Sequence, residues 1–366
     1  MSFLAQLKAY EEFDFKDYFD HVTDTMIFES IEKKTLDWYD FLNLLSPRAK
    51  QHLEALARRA HEVTVQHFGY TISLYLPIYV SNYCSSHCLY CGFSKQNRIK
   101  RNKLSLEEVE IEAQEIAKTG IKHILFLTGE SKKITPLSYL IDVAKILRRH
   151  FAQVAIEVAP MDEKEYHQLF EAGVDALTVY QEVYDKTIYQ QVHISGEKTN
   201  YQYRLDAPER GAKAGFRNIN IGPLFGLGEI LPEAFFGGLH AKYLSDKYLE
   251  CEVGLSLPRI NEAEGGFQPL SLLDDTTFVQ IMCAYRLFLP RADINISTRE
   301  TAEFRDNLLK ICATKFSAGS KTEVGGYTKA KTEPQFEISD ARDTTHVIER
   351  IQSMGYEPVY KNWEGI

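Results

Sequence analysis

The sequence predicts an α/β protein. A parallel (β/α)8 TIM-type barrel occupies residues 69–320, a helical extension precedes it at 1–68, and a C-terminal segment at 321–366 packs on it. Two observations carry this prediction. Eight short runs rich in β-branched and apolar residues alternate with amphipathic stretches, and strand–helix–strand repetition means parallel pairing through right-handed crossovers. Eight is also the number of strands that closes such a sheet. An open doubly wound sheet shares the same alternation and is the alternative.

The elements follow in order. Within the first 68 residues, "LSPRAKQHLEALARRAHEVTVQHFG" repeats apolar residues at helical spacing, with Ser46 as cap and Pro47 in the first helical position. The strand-like runs are 71–80, 123–129, 154–160, 176–182, 218–225, 251–258, 293–299 and 312–320. Helix-like stretches such as "SLEEVEIEAQEIAKTG" and "DEKEYHQLFEAG" lie between them and end on glycine, a C-terminal stop. After residue 320 the chain turns rich in Gly, Lys, Thr and acids and reads as an irregular crossing segment. A last helix, "TTHVIERIQSMG", and an extended end, "YEPVYKNW", complete it.

Composition narrows the function. The formal net charge is -9, and an acidic balance argues against nucleic-acid binding. The one basic run, "NRIKRNK" (Asn97 to Lys103), is short and reads as a solvated loop or helix start. No apolar run approaches the ~20 residues that span a bilayer, so no membrane partner is expected. The N-terminal residues mix acids and aromatics and lack the apolar core of a signal peptide. A cytoplasmic location follows, where thiols stay reduced. That removes disulfides as the use of the six cysteines. Cys251, Cys283 and Cys312 sit in apolar strand or helix patterns and read as small buried hydrophobes.

The other three cysteines form "SNYCSSHCLYCGFSK", in which Cys84, Cys88 and Cys91 follow the first strand as C-x-x-x-C-x-x-C. Three thiolates cannot complete a tetrahedral zinc site alone. A zinc-binding module would need His87, which directly precedes Cys88, and adjacent ligands rarely converge on one ion. Three thiolates can hold three irons of a [4Fe–4S] cluster and leave the fourth open. A metal-free hydrolase finds no support, since the chain has no G-x-S-x-G elbow and no phosphate loop.

With Tyr90 before the last cysteine, the motif resembles the C-x-x-x-C-x-Φ-C hallmark of the radical S-adenosylmethionine (SAM) superfamily. The resemblance implies that SAM chelates the open iron and that one electron cleaves its carbon–sulfur bond to a 5′-deoxyadenosyl radical. Further residues gain roles through it. Thr128-Gly129-Glu130, ending the second strand, matches the place of a G-G-E motif that contacts the SAM amino group, with threonine in place of the first glycine. Glu182 is expected at the SAM ribose and Arg204 at its carboxylate. The stretch from Ile221 to Gly228, with Leu227, resembles the segment against which adenine packs.

The resemblance extends along nearly the whole chain. "LYLPIYVSNYCSSHCLYCGFSKQNRIKR", "VYQEVY", "ISTRE", "FSAGSKTEVGGY" and "QFEISDARD" together look like the 2-iminoacetate synthase family, the tyrosine lyases of thiamine-thiazole biosynthesis. That family cleaves the Cα–Cβ bond of L-tyrosine to 2-iminoacetate and 4-cresol. The resemblance implies that Arg299, with Ser317 or Ser320, fixes the tyrosine carboxylate and aims its amine at the radical. It also implies a thiazole synthase partner and a flavodoxin or ferredoxin as electron donor. No residue is assigned to the phenol proton. The sister tyrosine lyase of [FeFe]-hydrogenase maturation holds a second cluster on C-terminal cysteines. Here no cysteine follows Cys312, and "PVYKNW" stands at that place.

Overall fold

The computed structural model describes residues 2–10, 12–328 and 332–361. Eight parallel strands form the centre: β1 (Thr71–Ser81), β2 (His123–Thr128), β3 (Gln153–Glu157), β4 (Ala176–Thr178), β5 (Asn218–Ile221), β6 (Glu252–Ser256), β7 (Asp293–Ile296) and β8 (Lys315–Ser317). Each pairs with the next. β8 then pairs with β1, Ser317 opposite Tyr75, which closes the barrel and rules out the open sheet. Six predicted runs contain their strand whole, and the other two, 71–80 and 154–160, miss one residue each, Ser81 and Gln153. The predicted end at 356–363 supplies β9 (Glu357–Val359), parallel to the start of β1 below the point where β2 begins; Asn362 and Trp363 lie outside the described residues.

Successive side chains alternate across a strand, and in β5 this separates two environments. Ile219 packs on the outer helix Ala207–Ala214 at Gly211. Asn220 points to the axis, where its amide donates to Ser256 Oγ at 2.9 Å and its oxygen accepts from Asn295 Nδ2 at 2.8 Å. This layer of the barrel interior is thus polar, its side chains hydrogen-bonded to one another as burial of polar groups favours.

The helical extension shares the core of the barrel's outer layer. Phe41 stacks on Phe288 at 4.4 Å, and Gln280 Nε2 donates to the carbonyls of Leu44 and Ser46, each at 2.8 Å. Ser46 caps a 3-10 turn, Pro47–His52, that runs into the helix Leu53–Phe68, so Pro47 opens the turn rather than the α-helix. The helix Leu106–Ala117 starts on a Ser105/Glu108 capping box, two reciprocal bonds that satisfy its first free N–H groups.

The C-terminal segment is strapped across the mouth. Glu112 accepts from Tyr327 N at 3.0 Å and Thr328 N at 2.8 Å, and Thr298 O accepts from Ser339 N at 2.8 Å. Asp340 is buried against Arg305 and is gripped again by Arg342 at 2.9 and 2.7 Å.

Candidate active site at the barrel mouth

The three-cysteine loop leaves β1 at its C-terminal end, where barrel enzymes place their chemistry. Several bonds fix its shape. Ser85 N and Oγ both donate to Glu130 O, at 2.9 and 2.8 Å. His87–Cys88 pairs antiparallel with His193–Ser195. Arg101 donates to the carbonyls of Asn82 (2.6 Å), Phe93 (2.9 Å) and Ser94 (2.6 Å). The basic run is a loop with Arg98 and Lys100 exposed, as read from sequence, and Arg101 departs from that reading: a guanidinium carries five donors in one plane and can close several carbonyls of one loop. Gly92 is needed because a Cβ there would lie 2.3 Å from Gln335 O of the tail.

Burial, with Glu130 beside it, pushes the Cys84 thiol up to about 11, and burial raises Cys88 and Cys91 as well. Ligation to a metal centre reverses that cost, because a coordinated thiol is deprotonated. Among the described residues no three His, Cys, Asp or Glu side chains converge as ligands of one ion. Thiols bound to separate corners of a cubane need not converge on one ion.

Beside the loop lies a compact four-charge cluster. Arg204 Nη1 is 2.7 Å from Glu130 Oε1, and Lys198 Nζ is 2.7 Å from Glu182 Oε1. Arg204 also reaches Glu182 at 3.4 Å and donates from Nε to Tyr180 O at 2.6 Å. Burial raises both carboxyl pKa values, but Arg204 and Lys198 outweigh it and hold them below the usual range. Glu130 Oε2 is buried without a partner among the described residues. Glu182 is the one described non-glycine residue with positive φ, at 72°. Such strain concentrates at functional sites. Gly129 lets β2 end beneath the cysteine loop, since a Cβ there would sit 2.4 Å from Tyr83 O.

Tyr90 donates to His193 Nε2 at 2.8 Å, while His193 Nδ1 donates to Tyr189 O at 2.8 Å. The carbonyl can only accept, so it sets the tautomer. Burial lowers the His193 pKa to about 3 and keeps the ring neutral.

The opposite wall carries Arg299, Ser317 and Ser320. Arg299 is the residue after Thr298 beyond β7, and its guanidinium stacks on Phe336 at 3.4 Å from the ring centroid. It makes one long bond, 3.4 Å to Arg259 O, and no ion pair among the described residues. The neighbouring Glu300 is taken by Arg259 instead. Ser317 Oγ accepts from Thr298 N at 3.1 Å, and Ser320 Oγ is buried without a partner among the described residues.

One cavity joins both walls, about 1540 Å³ counted with the solvent at its mouth. Of the residues singled out from sequence, the three cysteines, Tyr90, Thr128, Gly129, Glu130, Glu182, Arg204, Arg299, Ser317 and Ser320 line it. Ile221 and Leu227 do not: Ile221 lies on the helix-facing side of β5, and Leu227 is wholly buried. Leu224 lines the wall in their place. Lys198, Glu157, Tyr180, Gln335 and Phe336 also line it; Tyr180 lies in "VYQEVY" and Gln335 and Phe336 in "QFEISDARD", where sequence reasoning assigned them no role, and Lys198 and Glu157 belong to no motif. Glu157 had one available cue, a lone acid at the end of an apolar strand run.

The thiol set, the unpartnered Glu130 oxygen and the cavity fit a cluster with SAM beside it. Such a barrel, with this loop after its first strand, defines the class of radical SAM enzymes. The Radical SAM superfamily model matches residues 78–233, and the Biotin and Thiamin Synthesis associated domain matches 256–357. The 2-iminoacetate synthases of Salmonella typhimurium and Escherichia coli are each 37% identical over 327 residues, covering 89% of this chain and 87% of theirs. The chain belongs to the 2-iminoacetate synthase family. The X-ray structure of the FeFe-hydrogenase maturase HydG from Carboxydothermus hydrogenoformans is also similar, at TM-score 0.91 and 29% identity, over 98% of this chain and 85% of that one. Methylornithine synthase, at TM-score 0.74 and 22% identity over 91% of this chain and 97% of that one, shares the fold.

Proposed function

We propose that Cys84, Cys88 and Cys91 hold a [4Fe–4S] cluster, that Tyr90, Thr128, Gly129, Glu130, Glu182 and Arg204 form the SAM site, and that Arg299, Ser317 and Ser320 hold the substrate. The chain is a radical SAM carbon–carbon lyase. It cleaves the Cα–Cβ bond of L-tyrosine to 2-iminoacetate and 4-cresol, with methionine and 5′-deoxyadenosine from SAM. When bound, the cluster and SAM supply the 5′-deoxyadenosyl radical.

The observation that carries the substrate end is Arg299. A guanidinium facing the cavity with no carboxylate of its own is an open site for a substrate carboxylate, and its fork takes two oxygens at once. The unpartnered Ser320 hydroxyl can add a third bond. At the other wall, Glu130 Oε2 is free to accept from an ammonium. Gln335 and Phe336 roof the space between, which limits water and fixes orientation. Orientation matters because a radical takes the nearest available hydrogen.

Two partners complete the reading. A flavodoxin or ferredoxin donates the electron, and a thiazole synthase receives the imine, which water would otherwise hydrolyse. Among the described residues no helix is long and apolar enough to cross a membrane. A reducing cytoplasm suits the thiol ligands. The test is anaerobic incubation with SAM, reductant and tyrosine. Production of 4-cresol without carbon monoxide or cyanide is expected; a protein loaded with iron that yields no cresol contradicts the substrate.

A further inference from the structure

We propose that Glu157 is the base that removes a proton from the α-ammonium of the bound amino acid before hydrogen is taken from its nitrogen. The inference rests on the tyrosine reading above. Glu157 ends β3 opposite Leu127 of β2, on the axial face, and it lines the cavity. Among the described residues its carboxylate has no hydrogen-bond or ion-pair partner. The other cavity carboxylates are committed: Glu130 to Arg204, Glu182 to Lys198, Glu300 to Arg259.

The charged groups that act on Glu157 come from both walls: Glu182 after β4, Lys198 and Arg204 from the segment that follows, and Arg299 after β7. The phenols of Tyr75 and Tyr79 on β1 and of Tyr180 after β4 face it as well. An amino acid anchored by its carboxylate at Arg299, with its amine toward the Glu130 wall, presents its ammonium within this space. Burial, then Glu182, raises the Glu157 carboxyl to about 7, with the three cations pulling the other way. A base works best near the operating pH.

The step balances simply. One N–H bond of the ammonium breaks, one O–H bond forms on the Glu157 carboxylate, and no electron is gained or lost. It is needed because an ammonium has no lone pair, and the nitrogen-centred radical that fragments must keep one.

The test uses protein loaded with cluster and SAM, without reductant, titrated calorimetrically with L-tyrosine in two buffers of different ionisation heat. Binding at pH 6 is expected to release about one proton, because Glu157 and the ammonium then hold two and can share one. At pH 8 release should fall toward zero, and Glu157→Gln should abolish it at both pH values. In turnover, Glu157→Gln should lose roughly 100-fold at neutral pH and regain about tenfold per pH unit above it. Glu157→Asp should retain the proton release, and it serves if the glutamine variant misfolds; iron content and SAM binding report on folding in either case. No release in the unaltered protein, or an unchanged pH profile in Glu157→Gln, overturns the assignment. Rescue by a fluorinated tyrosine of more acidic phenol, but not by pH, gives Glu157 the phenol proton and also overturns it. Absence of cresol from the unaltered protein instead removes the tyrosine reading.

Discussion

The guanidinium of Arg299 lies 3.4 Å from the ring centroid of Phe336. One residue follows a barrel strand; the other belongs to the segment strapped across the mouth. The tail therefore forms part of the cavity wall that carries Arg299. A cation–π contact of this kind contributes roughly 0.5–2 kcal/mol. Phe336→Ala is expected to raise KM for tyrosine about 2- to 30-fold, with iron content unchanged. Steady-state cresol formation measures it, and an unaltered KM contradicts the role.

Arg299→Lys keeps the charge and loses the planar fork. A charge-assisted hydrogen bond contributes about 1.5–3 kcal/mol, so kcat/KM should fall about 10- to 150-fold. Cluster assembly should be spared, because Arg299 makes no bond to the cysteine loop. Unchanged kinetics refute its assignment to the substrate.

Ser317 and Ser320 separate by their partners. Ser320 Oγ is buried and unsatisfied, so Ser320→Ala should leave the melting temperature unchanged or higher while weakening tyrosine binding by about 1 kcal/mol, roughly fivefold. Ser317→Ala removes the acceptor of Thr298 N and should lower the melting temperature. The opposite pattern would reverse the two roles.

The cysteine loop depends on residues that never touch metal. Arg101→Ala frees four carbonyls, and Gly92→Ala forces a Cβ into Gln335 O. Both should lower the iron retained per chain after anaerobic reconstitution and lower the melting temperature. Full iron loading in either variant shows that the loop holds its shape without them.

Acid should unfold the protein partly through His240. Burial lowers its pKa to about 3, where it stacks on Phe3 at 4.1 Å and meets Tyr184 Oη at 3.1 Å. Between its unfolded value near 6.5 and that lower value, the unfolded chain binds a proton that the folded chain excludes. Stability therefore falls as pH falls through this window, by about 1.4 kcal/mol per unit for each such histidine. His193 adds a second contribution over the same window. His240→Gln should flatten the slope of melting temperature against pH between 4 and 6 relative to the unaltered protein; an identical slope contradicts the account.

Much of the site was legible because its residues are covalently local. The spacing of Cys84, Cys88 and Cys91 is a property of one loop, and Thr128, Glu130, Arg299 and Ser317 sit at or just past strand ends that periodicity places. Ile221 does not line the cavity because a strand alternates faces, and its register, fixed by pairing with Leu255 of β6, turns it outward. Lys198 and Glu157 carry no motif, and "QFEISDARD" does not by itself show that Phe336 reaches the cavity; each enters it from a different element.

By itself the sequence determined the strand count, the clustering of three thiols on one loop and the chemistry that three thiols with an aromatic neighbour imply, since these depend on short-range spacing and residue type. Tertiary structure alone decided which charges are spent on each other and which stay open. Barrel closure and the tail bring Arg204 against Glu130 and Arg259 against Glu300, and leave Arg299 and Glu157 facing the cavity. Pairing between side chains distant in sequence is set by where closure places them, and no local pattern encodes it.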